Sequence, residues 1–247
     1  MVKISCVNYL NSTPFIYGLN NSSFLRNNAL IDFDIPSVCA EKLITEQVDI
    51  GLVPVAIIPK LKHAQIISDY CISADGDVHS VLLLSEVPLH EIKTILLDFH
   101  SRTSVNLAKV LAKNYWNISV EWKAANDNFL SEVKNTTATV LIGDRTFGVH
   151  NNYKYVYDLA GEWKKFTGLP FVFAAWVANK NIESNFITEF NSALKEGLNN
   201  LQNLIPEKQK EFPHYDVKKY LTHYIQYNLN ESKHKAIELF LSYIKQL

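Results

Sequence analysis

Short apolar runs rich in β-branched and aromatic residues alternate along this chain with stretches in which apolar positions recur every three or four residues. The first pattern fits strands and the second amphipathic helices, so the alternation predicts an α/β fold. Strands are predicted at KISCV, IDFDIPSV, VDIGLVPV, SVLLLS, TILLDF, SVEWK, ATVLIGD, YVYDL and PFVFAAWVA. Helices are predicted between them, at Pro14 to Leu19, Ala40 to Glu46, Ser104 to Tyr115, Phe129 to Val133 and Glu162 to Phe166. Beyond Ile182 the pattern becomes wholly helical, in ESNFITEFNSALKEGLNNLQNLI, DVKKYLTHYI and ESKHKAIELFLSYIKQL, and no strand is predicted there.

Two strand-and-helix blocks followed by a run of helices are what a chain produces when it begins one lobe, builds a second, and returns to cover the first. Lobe 1 is predicted at residues 1–85 and 173–247, and lobe 2 at residues 86–172. The crossings are expected in LLLSEVPLHEI and TGLPFVFAAWVAN, each of which joins an apolar strand to a proline-bearing turn.

Composition narrows the functional classes. Of 247 residues, 47% are hydrophobic, enough for a sizeable core in each lobe. With 24 basic and 25 acidic side chains the formal net charge is −1, which argues against a nucleic-acid surface or an anionic membrane as partner. Any anion must be held by local groups. The start, MVKISCVNYLNS, has no secretory h-region or cleavage site, and no apolar run approaches the ~18 residues of a membrane span, so a cytoplasmic protein is expected. Cys6, Cys39 and Cys71 are far apart, odd in number and without C-x-x-C spacing, which predicts buried reduced thiols. Eight glycines provide no G-x-G-x-x-G, Walker or G-x-S-x-G motif, and the eight histidines show no metal-ligand spacing. No cofactor or metal is expected.

Candidate chemistry sits where strands run into polar turns. In VNYLNSTPFIYGL, Ser12 or Thr13 can cap the helix that Pro14 starts, but Asn8 and Asn11 exceed what a cap requires. The sharper reading points the Asn11 amide into a ligand cleft at the carboxyl end of the first strand. In LLDFHSRTSVNLAKVL, the residues Ser101, Arg102, Thr103 and Ser104 stand at a helix N-terminus, where free N–H groups and the macrodipole favour a carboxylate or phosphate. Hydroxyls add donors and Arg102 a planar fork; an ordinary cap with a solvated arginine is the plain alternative. Asp144, in VLIGDRTF, lies at a strand end and reads first as a cap. Ser80 heads the strand after GDVH and is expected to approach the cleft from the first lobe, while Gly168 and Leu169 fall at the second crossing.

Taken in order and spacing, YLNSTP, VDIGLVPVA, HSVLLLSEVPL, LDFHSRTSVNLAKVL, LIGD and YDLAGEWKKFTGLPFVFAAW closely resemble the chorismate dehydratase family of the futalosine route to menaquinone. The resemblance covers most of residues 1 to 180 and fades over the helical end. It implies a two-lobed fold like the type II periplasmic solute-binding proteins, used in the cytoplasm for catalysis without a known cofactor. The sibling dihydroxynaphthoate synthase family shares the fold but opens with a serine-, proline- and cysteine-rich turn, where this chain has Tyr9, Leu10 and Asn11. On the resemblance, Asn11 and Ser80 are the catalytic positions and the Ser101–Ser104 turn holds the substrate, with Asp144 beside it; Gly168 and Leu169, from their place at the crossing, are further substrate-binding candidates. The implied substrate is the small dianion chorismate, dehydrated to 3-[(1-carboxyvinyl)oxy]benzoate. A non-catalytic solute-binding protein of the same fold is the remaining class.

Overall fold

The computed structural model describes residues 1–98, 101–126 and 128–247. In chain order its elements are β1 (Val2–Val7), α1 (Thr13–Asn21), α2 (Ser23–Asn28), β2 (Ala29–Asp34), α3 (Pro36–Ile44), β3 (Ile50–Pro54) and β4 (Gln65–Ala74). Next come β5 (Val81–Ser85), β6 (Thr94–Leu97), α4 (Thr103–Asn114), β7 (Glu121–Ala124), β8 (Thr137–Ile142), β9 (Tyr155–Asp158) and α5 (Leu159–Thr167). The chain continues through β10 (Phe171–Ala178), α6 (Ser184–Asn199), α7 (Leu201–Glu211), α8 (Val217–Lys219), β11 (Gln226–Asn228) and α9 (Glu231–Ile244).

These elements form two compact units, the first of Met1–Ser73 and Val172–Glu231, the second of Ala74–Phe171 and Ser232–Leu247. The dividing line differs from the one read in the sequence by a single residue at Val172, which falls in the first unit, and by longer stretches at two other places. Residues 74–85 belong to the second unit, because β5 pairs with both β8 and β9 and is an inner strand there. The last helix belongs to it as well, through Phe240, whose ring lies 5.8 Å from Trp163 and 4.9 Å from Phe171.

The first unit is built on a mixed sheet of order β11-β4-β10-β3-β1-β2. Strand β1 pairs in parallel with β2 and β3, and β10 runs antiparallel to β3. Strands β3 and β10 are buried along their whole length, which explains their unbroken apolar runs. Helix α1 lies so close to α6 that a Cβ on Gly18 would fall 1.9 Å from the Ala193 carbonyl oxygen. Phe15, on the inner face of α1, meets Trp176 and Tyr227 edge-on at 5.9 and 5.4 Å. The three cysteines are buried thiols in no disulfide, and burial pushes Cys39 up to about 12.

The second unit has a five-stranded sheet of order β7-β6-β8-β5-β9, with Leu82, Leu84, Leu96, Phe129 and Leu141 clustered in its core. Helix α5 is capped at both ends: the Asp158 side chain accepts from the Ala160 and Gly161 N–H groups, and Gly168 closes it in the left-handed region at φ 74°.

Several elements depart from the predicted ones. Strand β4 was not predicted, because Ser68 and Asp69 interrupt its apolar alternation. The short β11 overturns the expectation of no strand after Ile182; it survives by pairing with β4. IPSV starts helix α3 rather than extending β2, since Pro36 occupies the first helical turn. Among the described residues no helix is long and apolar enough to cross a membrane.

Candidate functional site

In the first sheet β1 lies between β2 and β3, and the chain visits β2 before crossing to β3 on the other side. The loop after β1 therefore stands at a topological switch point, where ligands bind in open α/β sheets. The second sheet repeats this order. Strand β6 lies between β7 and β8, all parallel, and the chain visits β7 first. The loops that the sequence singled out, Asn8–Ser12 and the one ending in Ser101–Ser104, thus occupy equivalent positions in the two units.

In the first unit, the Asn8 N–H continues the strand pairing by donating to Asp34 O at 2.9 Å, and the chain then turns through a short 3₁₀ helix, Leu10–Ser12. Asn11 is half-buried on that turn. Its Nδ2 donates to Tyr220 Oη across a long 3.4 Å, and its Oδ1 accepts from Ser12 Oγ at 3.2 Å. Ser12 makes no side-chain cap to α1, so the capping explanation for this turn does not hold. Tyr220 is fully buried and opens a π-helical turn, Tyr220–Tyr224, an irregularity often found at functional sites.

In the second unit, Ser101, Thr103 and Ser104 are buried and Arg102 is half-exposed. Ser101 Oγ accepts the Ser104 N–H at 2.9 Å, so it is this serine, outside the helix, that caps α4. Phe99 and His100 lie outside the described residues. Asp144 is half-buried in a 3₁₀ turn, Gly143–Thr146, directly after β8. Ser80 is buried at the head of β5, and its carbonyl accepts the Gly143 N–H at 2.9 Å. Ser80 therefore belongs with the Ser101–Ser104 turn and Asp144 in the second unit, not with Asn11.

Two residues in this region hold positive φ, His79 at 62° and Gly143 at 70°. The strained His79 is fixed by Asp158, whose Oδ2 accepts the Val78 and His79 N–H groups at 2.9 and 2.6 Å. Burial pushes the Asp158 carboxyl up to about 7, against the pull of those backbone donors. Gly168 and Leu169 lie at the other end of α5, about 14 Å along the helix axis from its Asp158 cap. Gly168 is exposed and serves the helix terminus, and the Leu169 N–H bonds to Thr167 Oγ1 at 3.2 Å. The structure does not bring this pair to the Ser80 end of the unit.

The sequence model of the family described as menaquinone biosynthesis matches residues 2–246. The chain belongs to that family. A curated relative, the chorismate dehydratase of Campylobacter jejuni subsp. jejuni serotype O:23/36 (strain 81-176), is 27% identical over 156 residues, which cover 61% of this chain and 69% of the relative. Among solved structures, a protein from Archaeoglobus fulgidus superposes with a TM-score of 0.79 at 14% identity, over 99% of this chain and 97% of that one. A Candida albicans gene product, described as exhibiting the generic periplasmic binding protein fold, superposes with a TM-score of 0.67 at 12% identity, over 100% and 90% of the two chains. The menaquinone biosynthesis protein thus has the two-unit α/β fold of that class.

Its second unit also contains groups that the sequence did not single out. Asp98, at the end of β6, is fully buried; its Oδ2 accepts the Ile142 N–H at 3.2 Å and pairs with Arg145. Thr146, also fully buried, places Oγ1 3.1 Å from His79 O and 2.9 Å from Gly143 O. In the sequence Asp98 reads as the tail of an apolar strand, and nothing local reveals its partner. Among the described residues no group of three or more histidine, cysteine, aspartate or glutamate side chains could hold a metal ion.

Proposed function

We propose that this menaquinone biosynthesis protein is a chorismate dehydratase, a hydro-lyase converting chorismate to 3-[(1-carboxyvinyl)oxy]benzoate and water. The observation that carries the reading is the Ser101–Ser104 turn, with three buried hydroxyl residues at the N-terminus of a twelve-residue helix in a chain of nearly neutral charge. Such a turn concentrates positive potential locally, which suits a carboxylate. The named relative supplies the substrate.

The reaction is a 1,2-elimination: a ring C–H bond breaks, its electron pair forms the new ring π bond, and the neighbouring C–O bond breaks to release hydroxide, which with the abstracted proton makes water. Aromatisation drives it. The protein's tasks are to fix the dianion, assist departure of a poor leaving group and let a base reach the hydrogen. In this reading the turn takes one carboxylate through hydroxyl hydrogens and the Arg102 guanidinium, since the Ser104 N–H is already given to Ser101 Oγ. Ser80 serves the reacting end, and Asn11 is kept as the catalytic candidate on the equivalent loop of the first unit. The proton acceptor is a carboxylate, either the substrate's own or Asp144. Gly168 and Leu169, at the far end of α5, close that helix and are the remaining candidates for contact with the substrate.

The test is direct. Pure protein incubated with chorismate should yield a product lighter by one water, read by mass spectrometry. Binding of chorismate without conversion would instead make the chain a solute-binding protein of this fold, and neither binding nor conversion would remove chorismate from consideration.

A further inference from the structure

We propose that Asp98 is a positioning residue that sets the substrate turn of α4 and the turn after β8 in one fixed relation. The proposal rests on the reading of those turns given above and adds the group that holds them.

Three segments meet at this carboxylate. Its own backbone carbonyl accepts the Ser101 N–H at 3.3 Å, which ties Asp98 to the start of the hydroxyl turn. Its side chain reaches across to the neighbouring parallel strand, where Oδ2 takes the Ile142 N–H at 3.2 Å and the Arg145 guanidinium. Arg145 directly follows Asp144, so the ion pair fixes the turn that carries that acid. The tie extends further through Thr146 Oγ1, within bonding distance of both Gly143 O and His79 O, and through the Gly143 N–H on Ser80 O. One network of hydrogen bonds therefore connects Ser101 with Ser80 and with the residues on either side of Asp144.

A fully buried carboxylate is costly unless paired, and the Arg145 side chain that pairs with it is 35% exposed. An ion pair serving stability alone would need no link to the Ser101 turn. Substituting the carboxylate by an amide keeps an acceptor for Ile142 but removes the charge that holds Arg145.

The experiment compares wild type with D98N by chorismate kinetics and by amide hydrogen exchange, below the melting temperature of both. D98N should raise KM for chorismate at least tenfold with a smaller change in kcat, and speed exchange at least tenfold in both the 101–104 and the 142–146 amides. R145K, which keeps the charge, should retain most of the wild-type KM. Should D98N fail to fold, R145Q, at a partly exposed residue, has the same two readouts. An unchanged KM with only a lowered melting temperature, or faster exchange in one turn alone, would overturn the proposal. If wild type does not dehydrate chorismate, the reading of the reaction falls, while the exchange comparison still decides the role of Asp98.

Discussion

At Asn11 the amide is held from two sides, by the Ser12 hydroxyl and the Tyr220 phenol. A carboxamide so restrained is pre-set in direction, which is what orienting a leaving hydroxyl requires. Asn11→Ala should lower kcat on chorismate more than tenfold, about 1.4 kcal/mol of barrier, with little change in melting temperature. Tyr220→Phe, which removes only the outer restraint, should cost less; equal activity in Asn11→Ala would leave the residue a structural one. Asp158 makes a prediction of a different sort. Its carboxyl in the folded protein lies at about 7, above the ~3.9 of an exposed aspartate, so the folded state binds the proton more tightly. The unfolding free energy contributed by this group should therefore be greatest below about pH 4 and decline as pH rises to about 7, by on the order of a few kcal/mol. Chemical denaturation across that range should show the slope in wild type and its loss in Asp158→Asn. The sequence made Asn11 visible because two asparagines are more than a turn needs. Asp98 and Tyr220 stayed hidden because their meaning lies in partners distant in the chain.

At the scale of elements, α1 and α6 touch backbone to backbone. A Cβ on Gly197 would stand 1.7 Å from the Pro14 carbonyl oxygen, and one on Gly18 would meet Ala193 as closely. Because α1 begins directly after the Asn11 turn, this contact also fixes where that turn sits. Gly197→Ala should destabilise by about 1–3 kcal/mol and shift the helices apart. Gly168→Ala, with nothing within 4 Å but a φ of 74°, should cost about 1 kcal/mol from backbone strain alone. Thermal denaturation of the two variants separates crowding from conformation, and a Gly197→Ala protein as stable as wild type would refute the close approach. Elements with unbroken apolar runs, such as β3, β5 and β10, were legible because burial on both faces demands that composition. Strand β4 was not, since its polar residues find partners in α6: the Ser68 hydroxyl donates to Asn191 Oδ1 at 2.7 Å.

For the whole molecule, an α/β chain that leaves one unit, builds another and returns was readable from the order of runs and turns. The first crossing was not, because VLLLS looks alike whether it ends one sheet or lies inside the next, whereas the second, read after residue 172, falls after Phe171. Residues in the first unit resume at Val172 after the second has been laid down, and the second is finished only by Ser232–Leu247. The aromatic nest of Trp163, Phe171 and Phe240 cannot form until that final helix exists. During synthesis, then, the first unit can close its core only once Glu231 has been made and the second only once α9 has followed, and the nascent chain must keep apolar surface shielded until those segments emerge. A chain stopped at Glu231 should leave Trp163 exposed, seen as red-shifted emission and protease cleavage confined to residues 74–171. A truncated chain as resistant there as the full one would show that α9 is dispensable to the second unit.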